Sequence, residues 1–146
     1  MRTEVGLFAV FLCLGACASA GGPKGGQAAV CEDFAVEVEH YWSASVRAQV
    51  LDQRGELEIE RTKGTVNKMD RISEDWVMMR TSVCKDHFVR ELISAEDYAE
   101  RVRCFDDRLA QQRSLATALS GGGELSEIEA SLDQLLADPA ACQAAP

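Results

Sequence analysis

Residues 76–109 read WVMMRTSVCKDHFVRELISAEDYAERVRCFDDRL, and this stretch decides the fold. Trp76, Met79 and Val83 recur at helical spacing, and Tyr98, Val102, Phe105 and Leu109 do so again further on. Between the two runs, Ser94 followed by Asp97 is a helix-start signal in which a hydroxyl and an acid satisfy the first free backbone N–H groups. Cys84 lies ten residues before Ser94 and Cys104 ten residues after it. That symmetry predicts an antiparallel helical hairpin, with its two cysteines at equal height on neighbouring helices.

Outward from the hairpin, the same periodicity continues in both directions. A helix over 32–52 is expected from Cys31, Phe34, Ala35, Val38, Tyr41, Trp42, Val46 and Val50, with acidic Glu32 and Asp33 in its first turn. Gly55 closes it. A long amphipathic helix follows from Glu56 through Ile59, Val66, Met69 and Ile72, with Gly64 and Ser73 as candidate breaks. After the second arm of the hairpin, Gly121-Gly122-Gly123 is a stop. Ser126 with Glu129 reads as a second capping box, opening a short helix that carries Ile128, Leu132, Leu135 and Leu136. Pro139 ends it by pushing Asp138 out of the helical region. The expected fold is all-α, a bundle of four or five helices around a disulfide-linked hairpin.

The first thirty residues read differently. Val5 to Leu14 is an apolar run of ten residues after Arg2, too short to span a bilayer and the right length for a signal-peptide core. Leu14-Gly15-Ala16-Cys17 resembles a bacterial lipobox, with residues 1–16 removed and lipid placed on Cys17. Ala18-Ser19-Ala20 offers ordinary cleavage after Ala20 as the alternative. Residues 17–30 would then be a lipidated cysteine and a Gly-rich tether, and 31–146 a disulfide-stabilised helical domain. By resemblance to well-studied lipoproteins, Ala18 rather than aspartate after the lipidated position gives no inner-membrane retention signal, which implies the outer membrane, facing the periplasm. Export leaves Cys31, Cys84, Cys104 and Cys142, an even number in an oxidising compartment. Four cysteines permit three pairings. The hairpin register favours Cys84 with Cys104, leaving Cys31 with Cys142.

Composition bounds the partners. With 146 residues and a net charge of −9, the chain is long enough for one domain, and it repels phosphate backbones and anionic headgroups. Nucleic acid is therefore not an expected partner. Envelope proteins are, together with a membrane reached through the lipid at Cys17. No cofactor or metal is expected. Cys84-Lys85-Asp86-His87 is a C-x-x-H, but no second pair accompanies it as a zinc framework needs. As a nucleophile and base, Cys84 and His87 lack an orienting group and an oxyanion hole. Glu32, Asp33, Glu37 and Glu39 stand at helical rather than calcium-loop spacing. Trp42, Trp76, Met69, Met78 and Met79 read as core, with an outward position left open for Met78, and Asp106-Asp107-Arg108 reads as a solvated face.

The pattern Trp76-Val77-x-Met79, Cys84, Tyr98-x-x-Arg101-x-x-Cys104-x-Asp106-x-Arg108-Leu109, then Leu115 to Leu119, Ile128 to Ala130 and Cys142, carries a likeness. It resembles the extracytoplasmic helical segment of myxobacterial-type Ser/Thr protein kinases. There too a cysteine stands about ten residues before a tryptophan, as Cys31 and Trp42 do here. The likeness covers roughly 31–142 and is strongest over 76–109. It implies the helical fold, the four-cysteine framework and an envelope location. The kinase motifs themselves are missing: no glycine-rich phosphate loop, HRD-type loop or DFG occurs. The resulting expectation is a non-enzymatic envelope lipoprotein that serves as a protein-interaction or structural module. The alternative is a module that senses a small ligand or signal.

Overall fold

The computed structural model describes residues 30–138 and 140–143. The signal segment, Cys17, Ala20 and the tether through residue 29 lie outside the described residues. Those described form five helices and no strand: α1 (Phe34–Glu39), α2 (Ala44–Asp52), α3 (Ile59–Phe88), α4 (Ala95–Ser120) and α5 (Leu125–Ala137). The all-α bundle expected from periodicity is the observed one. At 1.5 Å per residue α3 is about 45 Å long, and it forms the axis. It pairs with α4, α5 packs on both, α1 lies on α3, and α2 touches α3 and α4.

The helix expected over 32–52 is two helices. Ser43 is extended (φ −75°, ψ 167°) and its hydroxyl accepts from the Val46 N–H, starting α2 afresh. The break lets Trp42 turn fully inward, where its indole N–H donates to Asp70 Oδ1 at 2.6 Å. The apolar spacing is the same on both sides of the break, so periodicity alone cannot reveal it.

In α3 neither candidate break occurs. Gly64 is exposed and open around its missing Cβ. Ser73 is buried in mid-helix, and its hydroxyl faces Gln112 Oε1 at 3.4 Å. The buried stripe of Thr62, Val66, Met69, Ile72, Trp76, Met79 and Val83 outweighs both local signals. Buried Thr62 donates to the carbonyl of Glu58, and the Thr65 hydroxyl stands between the Arg61 carbonyl and Glu129 Oε1 on α5, so both hydroxyls find partners.

Ser94 caps α4 as expected, accepting from the Asp97 N–H at 3.0 Å. At the other end, Gly123 N–H bonds Ala118 O and Gly122 N–H bonds Leu119 O, with Gly122 at φ 77°. This is a Schellman stop, and the left-handed residue in it is a glycine because a Cβ is disfavoured there. The capping box expected at Ser126 does not form. Helix α5 begins at Leu125, Ser126 donates to Glu124 Oε1, and Glu129 turns away to Arg61 and Thr65. An arginine fork competes successfully for a carboxylate that could otherwise accept only one backbone N–H. Asp138 (φ −138°, ψ 74°) leaves the helix before Pro139.

The cysteine pairing differs from the expected one. Cys31 is bonded to Cys84 (Cα–Cα 5.6 Å) and Cys104 to Cys142 (Cα–Cα 5.5 Å). The hairpin register explains why. Trp76 Nε1 donates to Phe105 O at 2.9 Å, so residue 105 stands opposite residue 76. Cys104 is beside Phe105, whereas Cys84 lies eight positions beyond Trp76, about 12 Å further along α3. Helix α3 stops at Phe88 and the connection 89–94 is long, so the turn is centred before Ser94 and the two cysteines are out of step.

Candidate interaction surface

Two grooves flank the axis helix and its partners. The first lies between α1 and α3 and encloses about 580 Å³. Val38, Trp42 and Val77 form its floor, and Glu39, Glu74 and the half-exposed Met78 its rim. Asp70 sets its far edge, because one carboxylate holds both the Trp42 indole and the Arg47 guanidinium, the latter at 3.3 Å. Arg47 also donates to Trp42 O, which ties the α1–α2 corner to α3. Trp42 is fully buried and belongs to the core, as does Trp76, while Met78 is 63% exposed.

Beneath this corner runs a polar contact that sequence reasoning missed. Gln112 is buried in α4 and its Oε1 accepts from Tyr41 OH at 2.7 Å as well as from Ser73. Burial pushes the Tyr41 phenol above its ordinary pKa, offset in part by the Ser73 hydroxyl and the Arg113 cation. Nothing in the spacing of a glutamine marks it as the meeting point of α3, α4 and the α1–α2 turn.

The second groove is larger, about 1110 Å³, and runs between α4 and α5. Arg101, Arg103, Asp107, Gln111 and Gln134 line it, and the Cys104–Cys142 bridge closes one end. Arg108, read as part of a solvated face, instead donates to Leu135 O and Asp138 O, both at 2.6 Å. It supplies to the end of α5 the cation that α5 lacks in its own last turn.

Arg61 makes a forked contact with Glu129 across α3 and α5, its shortest bond 2.7 Å, and Thr65 adds a hydroxyl at 3.0 Å. The Arg61 hydrogen bond, then the Thr65 hydroxyl, hold the Glu129 carboxyl below its usual range. A depressed carboxyl pKa stabilises the fold above the unfolded-state value and loses that contribution as pH falls through the folded-state one. The Glu129→Gln variant is therefore expected to unfold at lower urea than the native chain at pH 7, with the gap narrowing as pH falls below the unfolded-state carboxyl value. A gap that does not narrow would reject the linkage. The effect is small because the pair faces solvent.

Cys84 and His87, the nucleophile–base pair considered from the sequence, are both engaged. The Cys84 sulfur is in its buried bridge. The His87 ring stacks on Tyr98 (centroids 4.6 Å, planes 12° apart), with Nδ1 3.2 Å from Ile93 O. Beside them the buried Arg80 guanidinium sits over Phe34 at 4.4 Å and over Tyr98 at 5.5 Å. This cluster packs the hairpin end rather than opening a cleft. His40 is exposed next to the half-buried Tyr41. Among the described residues no three of His, Cys, Asp and Glu converge as a metal-ligand set, and no helix is long and apolar enough to cross a membrane.

Fold and surface together define a small all-α domain held by two disulfides, with open grooves on its flanks. No protein-family model, curated protein or solved structure matches the chain.

Proposed function

We propose that the chain is a non-enzymatic lipoprotein of the bacterial envelope, anchored at Cys17, whose helical domain acts through protein contacts. The observation that carries this reading is the use of the cysteines. All four cysteines of the domain are joined in two bridges, with Cys31, Cys84 and Cys142 buried and Cys104 partly so, and such bridges persist in oxidising compartments. The remaining two, Cys13 and Cys17, fall in the apolar leader and at its lipobox-like end. The likeness to the extracytoplasmic segment of bacterial Ser/Thr kinases supports the same location. The α1–α3 groove, with its apolar floor and acidic rim, supports the contact reading. The second reading, a small-ligand sensor, draws on the same groove. It is the weaker of the two because the groove is open rather than enclosed.

Intact mass of the mature protein, purified without reductant from an envelope fraction, tests the anchor. The expected mass carries lipid on residue 17 and is four hydrogens below the reduced chain, and the Cys17→Ser variant loses the lipid. A mature chain beginning at Gly21 would overturn the anchor. A photo-reactive side chain at position 78 is expected to give a discrete protein adduct in intact cells, and one at exposed Asn67 is not. Equal labelling from the two positions would count against the groove.

A further inference from the structure

We infer that the tip of the α3–α4 hairpin is the membrane-facing end of the domain, with Val89 and Leu92 resting in the headgroup–acyl boundary of a phospholipid bilayer. This rests on the anchored reading given above. The chain enters the fold at Val30 and Cys31, and the Cys31–Cys84 bridge pins that entry to the last turns of α3. Ile59, at the opposite end of α3, is on the order of 35–40 Å away. In the anchored reading the segment from Cys17 to Val30, as a Gly-rich coil, has a root-mean-square span of about 20 Å, well short of that distance. The end that carries the entry is therefore the end held closest to the anchor.

That end is also apolar at its surface. Val30 is 63% exposed, Val89 47% and Leu92 70%. The backbone holds them there. Val89 and Arg90 N–H bond Lys85 O, and Leu92 N–H bonds Asp86 O at 2.7 Å, so the connection folds back on the carbonyls that end α3. Glu91 takes φ 55°, a conformation uncommon for residues other than glycine. The same connection turns Ile93 inward against the core while leaving Leu92 in solvent. Arg90 pairs with Asp86 at 2.6 Å beside the connection, while Glu91, Glu96 and Asp97 and, at the chain entry, Glu32 and Asp33 make this end acidic around its apolar residues. The chain as a whole carries −9, so the surface it can approach is one of zwitterionic rather than anionic headgroups.

Two aliphatic side chains are too few to hold a free domain on a membrane. A lipid on Cys17 changes that, because it makes the contact intramolecular at an effective concentration of the order of millimolar. The domain would then stand with its axis raised from the surface and with both flanking grooves open to the periplasm.

The test uses the full chain, purified as the mature protein and reconstituted in phosphatidylcholine vesicles with brominated acyl chains. Bromine quenches only indoles that reach the acyl boundary. In the L92W variant the added emission is expected to be largely lost relative to unbrominated vesicles. In M78W, on the flank of α3, it is expected to be retained, and Trp42 and Trp76 are buried and contribute equally to both. If L92W is quenched no more than M78W while mass spectrometry of the same sample shows lipid on Cys17, the tip inference is overturned and the anchor stands. If the sample carries no lipid on Cys17, both are overturned.

Discussion

A chain in which Cys104 and Cys142 are both alanine is expected to remain folded but to lose about 4 kcal/mol of stability, the chain-entropy value for closing a loop of that length. The bridge spans 38 residues and Cys31–Cys84 spans 53, so removal of the other pair is expected to cost a similar amount. Urea unfolding of the oxidised chain and the two double variants measures this. Domains of this size are stable by roughly 5–15 kcal/mol, so removing all four cysteines together takes most of that margin. The two losses should not look alike in detail. Cys142 is the buried contact of the tail in the cluster of Trp76, Phe105 and Leu109. Without it, amide exchange should quicken first over 138–143 and at the end of α5, where Arg108 holds Leu135 O and Asp138 O. Losing Cys31–Cys84 should instead release α1 and open the Phe34–Arg80 contact. A non-reducing peptide map is expected to yield 31–84 and 104–142 linked fragments. Recovery of an 84–104 fragment would reject the register of the hairpin, and a loss no larger than an ordinary surface substitution would reject the bridges as staples.

The helices were legible where the signal was repeated along the chain. The stripes of α3 and α4, the Ser94 cap and the glycine stop all follow from residue type at fixed spacing. Whatever depended on contacts between helices was not legible. Ser43 and Ser126 are the same kind of local signal, yet Ser43 caps a helix and Ser126 does not, because Glu129 is drawn away by Arg61 on another helix. The disulfide pairing turns on where α3 ends. A shift of the turn centre by a few residues moves a facing cysteine by several ångströms, more than the bond geometry tolerates. Of the candidate surface, the tryptophans were placed correctly from periodicity, and Arg108 and Gln112 were not, since each acts through polar contacts with other elements.

Trp76→Ala is expected to cost about 3–5 kcal/mol, the range for truncating a buried aromatic that its surroundings cannot refill. The surroundings here are rigid in that sense. Trp76 is 3% exposed, with Phe34 and Phe105 edge-on to it on either side at 6.2 and 6.4 Å. One of these rings belongs to α1, fixed by the Cys31–Cys84 bridge next to it, and the other to α4, fixed beside Cys104. Neither can move in without disturbing a disulfide. Trp76→Phe separates packing from hydrogen bonding. It keeps most of the ring contact and removes the indole bond to Phe105 O, so it should cost on the order of 1 kcal/mol. Denaturant midpoints at constant m-value measure both. A tryptophan that lined a ligand groove would give the opposite pattern, with alanine nearly neutral for stability. If the alanine variant unfolds within about 1 kcal/mol of the native chain, a spread typical of surface positions, then Trp76 is not the pin between α1 and α4. The role of the hairpin as the structural axis would fall with it.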